Sequence, residues 1–322
     1  MNNHIIISGS SNIPLAKEIS KILGLKLIEV KKEKFKNGEI NVEILENIRN
    51  KEVFLIQTGH GFGNYNINDI LMETIIMINA CNLSSVKSIT LICPLLFYSR
   101  GDKRVCRTSI SSKAVADLLQ INRLVTIDLH SPIQQGFYSI PVDNLYSISV
   151  ISEHLNNTIF KSQNKSDLIA VSPDAGSIAR TIAISRRLNL PVIYAHKERD
   201  YSKLSTILNL KIITSFPIKN KIALIFDDIA DSFNTNLSCI KALEKEGVKK
   251  VYVIITHGVF SENAINRINN CKILEKVIVT NSINQTEKLK LSKKIELVNI
   301  SNLFAKCIKC LITGNSISDQ CF

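Results

Sequence analysis

The clearest candidate for chemistry is an acidic group that follows one apolar run of the chain. Residues 222–226 are all apolar and predict a buried parallel strand. Asp227 and Asp228 follow at once, and a helical pattern begins a few residues later. The loop that joins the predicted strand to the predicted helix consists of Asp231, Ser232, Phe233, Asn234 and Thr235.

This arrangement predicts a site for a phosphorylated sugar. A turn between a strand and a helix presents free backbone N–H groups, which bind phosphate. Carboxylates would repel a phosphate, so the two adjacent acids need another role. They can accept hydrogen bonds from the hydroxyl groups of a sugar, directly or through a hydrated Mg²⁺ ion. We therefore expect the loop to bind the phosphate of ribose 5-phosphate and the acids to bind its hydroxyls.

The composition is that of a globular protein with an excess of positive charge. The 322 residues are 45% hydrophobic and 21% charged, which is enough for two domains of ordinary size. Lysine and arginine number 40 against 28 acids, a net charge of +12 that suits phosphorylated ligands and would also suit nucleic acid. No apolar stretch reaches the length of a membrane span, and the first residues predict a strand and a turn, so we expect no membrane association.

The eight cysteines mostly lie within apolar patterns, which favours reduced, buried thiols in a cytoplasmic protein. Cys307 and Cys310 have the spacing of half a metal site. No second pair with suitable spacing accompanies them, so we expect a structural role.

Short apolar runs alternate with amphipathic stretches, a pattern typical of repeated strand–helix units around parallel sheets. The predicted strands are residues 4–7, 53–57, 88–93, 124–128, 168–171, 192–194, 222–226, 251–255 and 277–279. The predicted helices are residues 14–23, 68–81, 111–119, 147–156, 177–188, 235–246 and 303–311.

The series restarts near Asp167, which predicts two similar α/β domains, residues 1–147 and 148–322. The last helix could pack on either of them.

Several motifs in this order make the chain resemble ribose-phosphate diphosphokinase, also called phosphoribosyl pyrophosphate (PRPP) synthetase. The resemblance covers nearly the whole chain. Its motifs are FKNGEINVEILENIR (35–49), NDILMETIIMINA (68–80), the loop 100–113, TIDLHSPIQQGFYSIPVDNLYS (126–147), VSPDAG (171–176), FDDIADSFNT (226–235) and ITHGVFSENAINRI (255–268).

The resemblance implies an α/β fold of two phosphoribosyltransferase-like domains, each a mostly parallel sheet flanked by helices. The N-terminal domain would bind ATP and the C-terminal domain ribose 5-phosphate. The family's reaction is attack by the anomeric hydroxyl of ribose 5-phosphate on the β-phosphorus of ATP, giving PRPP and AMP for nucleotide biosynthesis. It also implies Mg²⁺ as cofactor and dimers that assemble into a hexamer.

The resemblance also implies roles for single residues. His130 and Asp174 match positions that serve Mg²⁺ near ATP and near ribose, respectively. Phe35, Asn37 and Glu39 match a loop that a neighbouring subunit contributes to hold adenine.

Further positions match the ATP loop, the catalytic flap and an allosteric site. The matching residues of the ATP loop are Arg100, Asp102 and Arg107. Lys197 and Arg199 lie in a polar loop after a predicted strand and match a mobile flap whose cations stabilise the transition state. Arg49 and Arg107 match positions near an allosteric phosphate or ADP site of some relatives.

The ribose 5-phosphate loop departs from the family pattern. The usual Asp-Thr-Gly-Gly-Thr is changed, with Phe233 as a bulky ring and Asn234 in place of a glycine. Because asparagine tolerates left-handed dihedral angles, we expect Asn234 to adopt the conformation of the glycine that it replaces, with binding weaker by about 1–2 kcal/mol.

Two further motifs depart from the family. The ATP loop has Gly101 where glutamine is usual, and it is one residue shorter. Ser177 and Ala179 replace a glycine and a lysine after SPDAG.

The leading hypothesis is a working synthetase. The altered loops leave open a catalytically weak or inactive synthetase-like regulatory subunit. A phosphoribosyltransferase is disfavoured by the duplicated organisation and the separate ATP motifs. A nucleic-acid-binding regulator lacks a recognisable motif, so we expect no nucleic acid partner.

Overall fold

The computed structural model describes residues 3–199 and 207–321, and for residues 197–199 and 207–209 it describes the backbone alone. Two compact units make up the described chain. The first contains the chain up to Ser147, Ser282–Asn284 and the chain from Ile300 onward, and the second contains Ile148–Asn281 and Gln285–Asn299. No helix in the described ranges combines the length and hydropathy that a membrane crossing requires.

The first unit contains a parallel sheet of six described strands and a separate antiparallel hairpin. In chain order its strands are β1 (His4–Ser8), β2 (Leu27–Ile28), β3 (Val30–Lys34), β4 (Ile40–Ile44), β5 (Glu52–Ile56), β6 (Ser88–Ile92), β7 (Arg123–Ile127) and β8 (Val142–Leu145). The sheet has the order β2-β1-β5-β6-β7-β8, and β3 and β4 form the hairpin. Its core consists largely of Ile, Leu and Val side chains, as is expected of strands covered on both faces.

The helices of the first unit connect these strands. They are α1 (Ile13–Leu23), α2 (Ile67–Leu83) and α3 (Ser111–Leu118), with a short 3₁₀ helix at Pro132–Phe137. The start of α2 is fixed by a capping box, in which Asn66 accepts from the N–H of Asp69 and Asp69 accepts from the N–H of Asn66.

The second unit contains a sheet of seven described strands with one antiparallel edge. In chain order the strands are β9 (Leu168–Ser172), β10 (Val192–Arg199), β11 (Ile207–Ile213), β12 (Ile222–Ala230), β13 (Lys250–Gly258), β14 (Leu274–Thr280) and β15 (Ile295–Val298). Their order is β11-β10-β9-β12-β13-β14-β15, in which only the β10–β11 pair is antiparallel.

The helices of the second unit surround a core built on β12 and β13. They are α4 (Ile148–Asn157), α5 (Ile159–Ser162), α6 (Ile178–Leu188), α7 (Asn234–Lys245), α8 (Ala264–Asn270) and α9 (Thr286–Leu291), with a 3₁₀ turn at Lys165–Asp167. Both units are thus mostly parallel sheets flanked by helices, and the predicted α/β class is confirmed.

The end of the chain returns to the first unit. Helices α10 (Ser301–Thr313) and α11 (Ile317–Cys321) follow the last strand of the second unit, yet α10 packs on α1. Ser301 Oγ donates a hydrogen bond of 2.8 Å to Glu18 Oε2. The second unit therefore does not extend to residue 322, because the apolar face of α10 is buried in the first unit.

Candidate active site

The central strand of the second unit is longer than the sequence predicts. All nine residues of β12 are buried, and Asp227 and Asp228 lie inside the strand and not in the turn after it. Strand β13 runs beside β12 as far as the pair Ala230 and Gly258, which keeps this segment extended. On the other side, β9 pairs with β12 only up to Ile225. The acids therefore lie where one neighbouring strand has ended, at the carboxyl edge where α/β proteins bind ligands.

Asp227 is held by three hydrogen bonds. Ser177 Oγ donates to Asp227 Oδ1 over 2.9 Å, and the backbone N–H of Asp228 donates to the same oxygen over 3.0 Å. Asn236 Nδ2 donates to Oδ2 over 3.2 Å. The backbone N–H of Ser177 donates to Asp174 Oδ1 over 3.2 Å. Ser177, which departs from the family's glycine, therefore connects two of the predicted acids.

Asp227, Asp228 and Asp174 form a cluster of acids in which the Asp227 carboxyl is buried. Burial, followed by the nearby charges of Asp228 and Asp174, raises the pKa of the Asp227 carboxyl to about 7. Such a group of carboxylates attracts a cation or the hydroxyl groups of a sugar.

The loop after β12 does not use Asn234 as the sequence predicts. The left-handed residue is Phe233, with φ of 64° and ψ of 8°, and it is the N-cap of α7. Asn234 is the first helical residue and is exposed. The Phe233 ring is only 2% exposed and packs in the core of the second unit, so it does not lie beside a bound phosphate.

The loop leaves the beginning of α7 open to an anion. The first N–H groups of an α-helix have no intrahelical partner, and no described side chain caps them in α7. Ser232 and Thr235 are half-buried beside them. The carboxylate of Asp231, in the same loop, accepts a hydrogen bond from Ser261 Oγ.

In the first unit, the predicted adenine residues occupy the turn of the β3–β4 hairpin. The N–H of Phe35 donates to the carbonyl of Glu39 over 2.8 Å, and Asn37 Oδ1 accepts from the N–H of Glu39 over 3.2 Å. The Phe35 ring is 50% exposed, which makes it available for stacking.

The predicted ATP loop follows β6 and precedes α3. Arg100 and Arg107 are exposed, and Asp102 is half-buried. At Gly101 a Cβ atom would lie 2.0 Å from Ser111 Oγ, so a larger residue there would require the Ser111 side chain to turn away. The Gly101 carbonyl also accepts from the N–H and Oγ of Ser112, so the shortened loop is bonded to the start of α3.

The first turn of α2 connects this loop to the hairpin, a role that the sequence did not reveal. Lys34 Nζ lies 2.6 Å from Asp69 Oδ2, and the Tyr98 hydroxyl donates to Asn68 Oδ1. This bond with Lys34 is also the main cause of the lowered pKa of Asp69. Asn68 and Asp69, which are consecutive in one helix, thus contact residues next to both predicted ATP-binding segments. Both residues begin the motif at 68–80, which is the sequence signal that could have indicated this role.

The structure describes the side chain of His130 and only the backbone of Lys197 and Arg199. His130 is exposed just after β7. Lys197 and Arg199 lie on β10 and not in a loop, because β10 continues in antiparallel pairing with β11. Their side chains are outside the described part of the chain. Among the described residues, no group of three or more His, Cys, Asp or Glu side chains has the arrangement of a metal centre.

Comparisons with known proteins agree with this picture. A family model described as the N-terminal domain of ribose phosphate pyrophosphokinase matches residues 4–122, and a model of the phosphoribosyl synthetase-associated domain matches residues 208–321. A curated relative, ribose-phosphate pyrophosphokinase 2 of Schizosaccharomyces pombe, is 39% identical over 98% of this chain and 97% of its own.

Among solved structures, the phosphoribosylpyrophosphate synthetase of Mycobacterium smegmatis superposes with a TM-score of 0.87 and is 30% identical, covering 97% of this chain and all of that one. The fold defines a two-unit α/β protein of mostly parallel sheets, like that of this synthetase. The chain belongs to the ribose-phosphate pyrophosphokinase family, which confirms the predicted resemblance.

Proposed function

We propose that this chain is an active ribose-phosphate pyrophosphokinase, which transfers the diphosphate of ATP to the anomeric hydroxyl of ribose 5-phosphate and releases PRPP and AMP. The observation that carries the proposal is Asp227, buried among Ser177, Asn236 and Asp228 and followed by an uncapped helix N-terminus. A buried carboxylate next to an uncapped helix N-terminus suits a ligand that presents both hydroxyl groups and a phosphate.

In this proposal the second unit binds ribose 5-phosphate. Asp227, Asp228 and Asp174 accept hydrogen bonds from the ribose hydroxyls, and residues 231–235 bind the phosphate through N–H groups at the start of α7. Lys197 and Arg199, which match the family's catalytic positions, stabilise the charge that develops on the transferred diphosphate.

The first unit binds ATP. The exposed Phe35 ring stacks on adenine, while Asn37 and Glu39 bond to the edge of the base. Arg100 and Arg107 bind the triphosphate as cations, and Asp102 completes the ATP-binding loop.

Mg²⁺ fits the residues of the second unit. The crowded carboxylates, among which burial and neighbouring charge raise the pKa of Asp227, favour a divalent cation, which supplies charge neutralisation at the transferring phosphates when it is bound. Since Mg²⁺ usually keeps several waters and uses only one or two carboxylates, the missing three-residue cluster does not conflict with this assignment. Asp174 is the proposed ligand of the Mg²⁺ ion near ribose, and His130, in the first unit, is the proposed ligand of the Mg²⁺ ion on ATP.

The remaining proposals concern assembly and location. The half-exposed Phe35 hairpin suits a site shared between subunits, in agreement with dimers that form a hexamer. The described cysteines are free thiols, which agrees with the cytoplasm as the proposed location.

The test is an assay of AMP and PRPP formation from ATP, ribose 5-phosphate and Mg²⁺. We expect activity in the wild type and a loss of about a hundredfold in kcat for Lys197→Ala, because a cation on the transition state is removed. Lys211→Ala, on the paired strand β11, is the matched control and should keep its activity.

The alternative of a regulatory subunit has a distinct outcome. A wild-type chain that folds and binds ribose 5-phosphate, but forms no AMP at micromolar enzyme, would reject the enzyme proposal. Restoration of activity by a second synthetase subunit would then support the regulatory role.

A further inference from the structure

The loop at residues 231–235, here called the phosphate loop, is bonded to the next strand-to-helix connection of the same unit. The N–H of Phe260 donates to the carbonyl of Ala230 over 3.0 Å, and the N–H of Ser261 donates to the carbonyl of Asp231 over 3.1 Å. Arg267 Nη1 donates to the carbonyl of Ser232 over 2.8 Å. Three successive carbonyls thus accept hydrogen bonds from Phe260, Ser261 and Arg267, a group that we call the brace.

The brace determines where the N–H groups of the loop point. In a planar trans peptide the C=O and N–H bonds point in opposite directions. The carbonyls of Ala230, Asp231 and Ser232 belong to the same peptide units as the N–H groups of the residues that follow them. Because these carbonyls are turned toward the brace, the N–H groups of residues 231–233 are turned away from it, and successive N–H groups of this kind form an anion-binding concavity.

Two phenylalanines with left-handed backbone angles stabilise the phosphate loop and the segment that contacts it. Phe233 has φ of 64° and Phe260 has φ of 47°, and both rings are buried in the same core. Left-handed φ is unfavourable for a residue with a Cβ atom, so such residues persist only where the surrounding structure imposes them. Ring burial therefore maintains here a backbone conformation that glycine adopts without strain.

Within the described structure, Arg267 makes no other contact as strong as its hydrogen bond to the Ser232 carbonyl. Its nearest carboxylate oxygen, in Glu262, is 3.8 Å away, and the Glu262 side chain is two-thirds exposed, so this ion pair is weak. Ser261 has a second bond, from its Oγ to the Asp231 carboxylate.

We propose that Arg267, with Ser261, is a positioning residue for ribose 5-phosphate: it holds the carbonyl side of the phosphate loop so that the N–H side is preformed for the sugar phosphate. The identity of the ligand rests on the proposed function. The inference adds that side chains outside the loop position it.

The test compares steady-state kinetics of the wild type with Arg267→Met. We expect KM for ribose 5-phosphate to rise about tenfold, the effect of one lost hydrogen bond from a charged donor. kcat and KM for ATP should change less than twofold, a split that a general loss of structure would not produce. Arg267→Lys should recover part of the affinity, and Lys272→Met, beside Arg267 in one surface groove, is the matched control.

Calorimetric titration with ribose 5-phosphate separates this inference from the proposed function. If the wild type binds ribose 5-phosphate without turnover, the function is rejected while the brace is still tested by the Kd of the variants. An unchanged KM and Kd for Arg267→Met, or an equal rise in KM for ATP, would overturn the brace. Should Arg267→Met not fold, Ser261→Ala is the second variant and should raise the same KM and Kd.

Discussion

A buried carboxylate such as Asp227 has opposite effects on binding and on stability. The bonds from Ser177 and Asn236 orient it for a ligand, but burial and the neighbouring acids disfavour its charge. A carboxyl whose pKa is higher in the folded state stabilises the fold while protonated. Its contribution is therefore present at low pH and is lost as the pH rises through about 7.

We predict that Asp227→Asn raises the melting temperature at pH 8 but has little effect at pH 4.5. The neutral amide avoids a cost of roughly 2–4 kcal/mol at the higher pH. Asn236 can turn its amide to accommodate the change, because its buried Oδ1 has no hydrogen-bond partner in the described structure. Thermal unfolding of both proteins across this pH range is the measurement.

Glu246→Gln, an exposed carboxylate at the end of α7, serves as the control for Asp227→Asn and should show no pH-dependent gain. The prediction is wrong if Asp227→Asn destabilises the protein equally at both pH values.

At the scale of elements, the β3–β4 hairpin presents an exposed aromatic ring on a short ribbon tied to α2. We predict that Phe35→Ala raises KM for ATP about tenfold, since stacking of a base on an aromatic ring contributes on the order of 1–3 kcal/mol. KM for ribose 5-phosphate and the melting temperature should stay unchanged, because the ring contributes little to the core.

Phe62→Ala is the matched control for this element, because Phe62 is also a partly exposed ring of the first unit. A KM for ATP that rises equally in both variants would indicate a general effect on the unit and contradict the stacking role.

The central strands and long helices could be predicted because they follow one period over many residues. The short strands β2, β3, β4, β8, β11 and β15 were missed. Strand β3 reads VKKEK, whose charged side chains are typical of a solvated loop, and only its pairing with β4 makes it a strand. The continuation of β12 through two acids was missed for the same reason, since β13 supplies the pairing.

The sequence indicates which residues belong to the candidate site, but it does not indicate their backbone conformations or the bonds between them. Intrinsic preference assigned the left-handed position to Asn234, whereas burial of a large ring outweighs that preference and assigns it to Phe233. The brace could not be predicted, because Arg267 lies 35 residues from its partner Ser232 and the bond depends on packing.

At the scale of the whole molecule, the two units are not two consecutive segments. Residues 282–284 and the chain from Ile300 onward complete the first unit. Asn12 and Thr58 side chains donate to the Ser282 carbonyl, and α10 buries Phe304 and Ile308 completely.

We predict that truncation after Asn299 lowers the melting temperature sharply or prevents folding of the first unit. Each large apolar side chain removed from the core costs about 1.5–3 kcal/mol, and the loss of α10 removes several. Truncation after Gly314, which removes only α11, is the matched control and should be much milder. Differential scanning calorimetry of both proteins tests this, and an unchanged transition in the longer truncation would contradict it.

Because α10 completes the first unit, the order of synthesis on the ribosome affects when that unit can finish folding. Domains generally fold as they emerge, with the N-terminal one first. Here the first unit to be translated still lacks α10 when its own strands are complete, and it must wait through the translation of the whole second unit. Its final packing step joins Glu18 to Ser301, so a chain that ends before Ser301 exposes the face of α1 that α10 covers, which quality-control proteases can recognise.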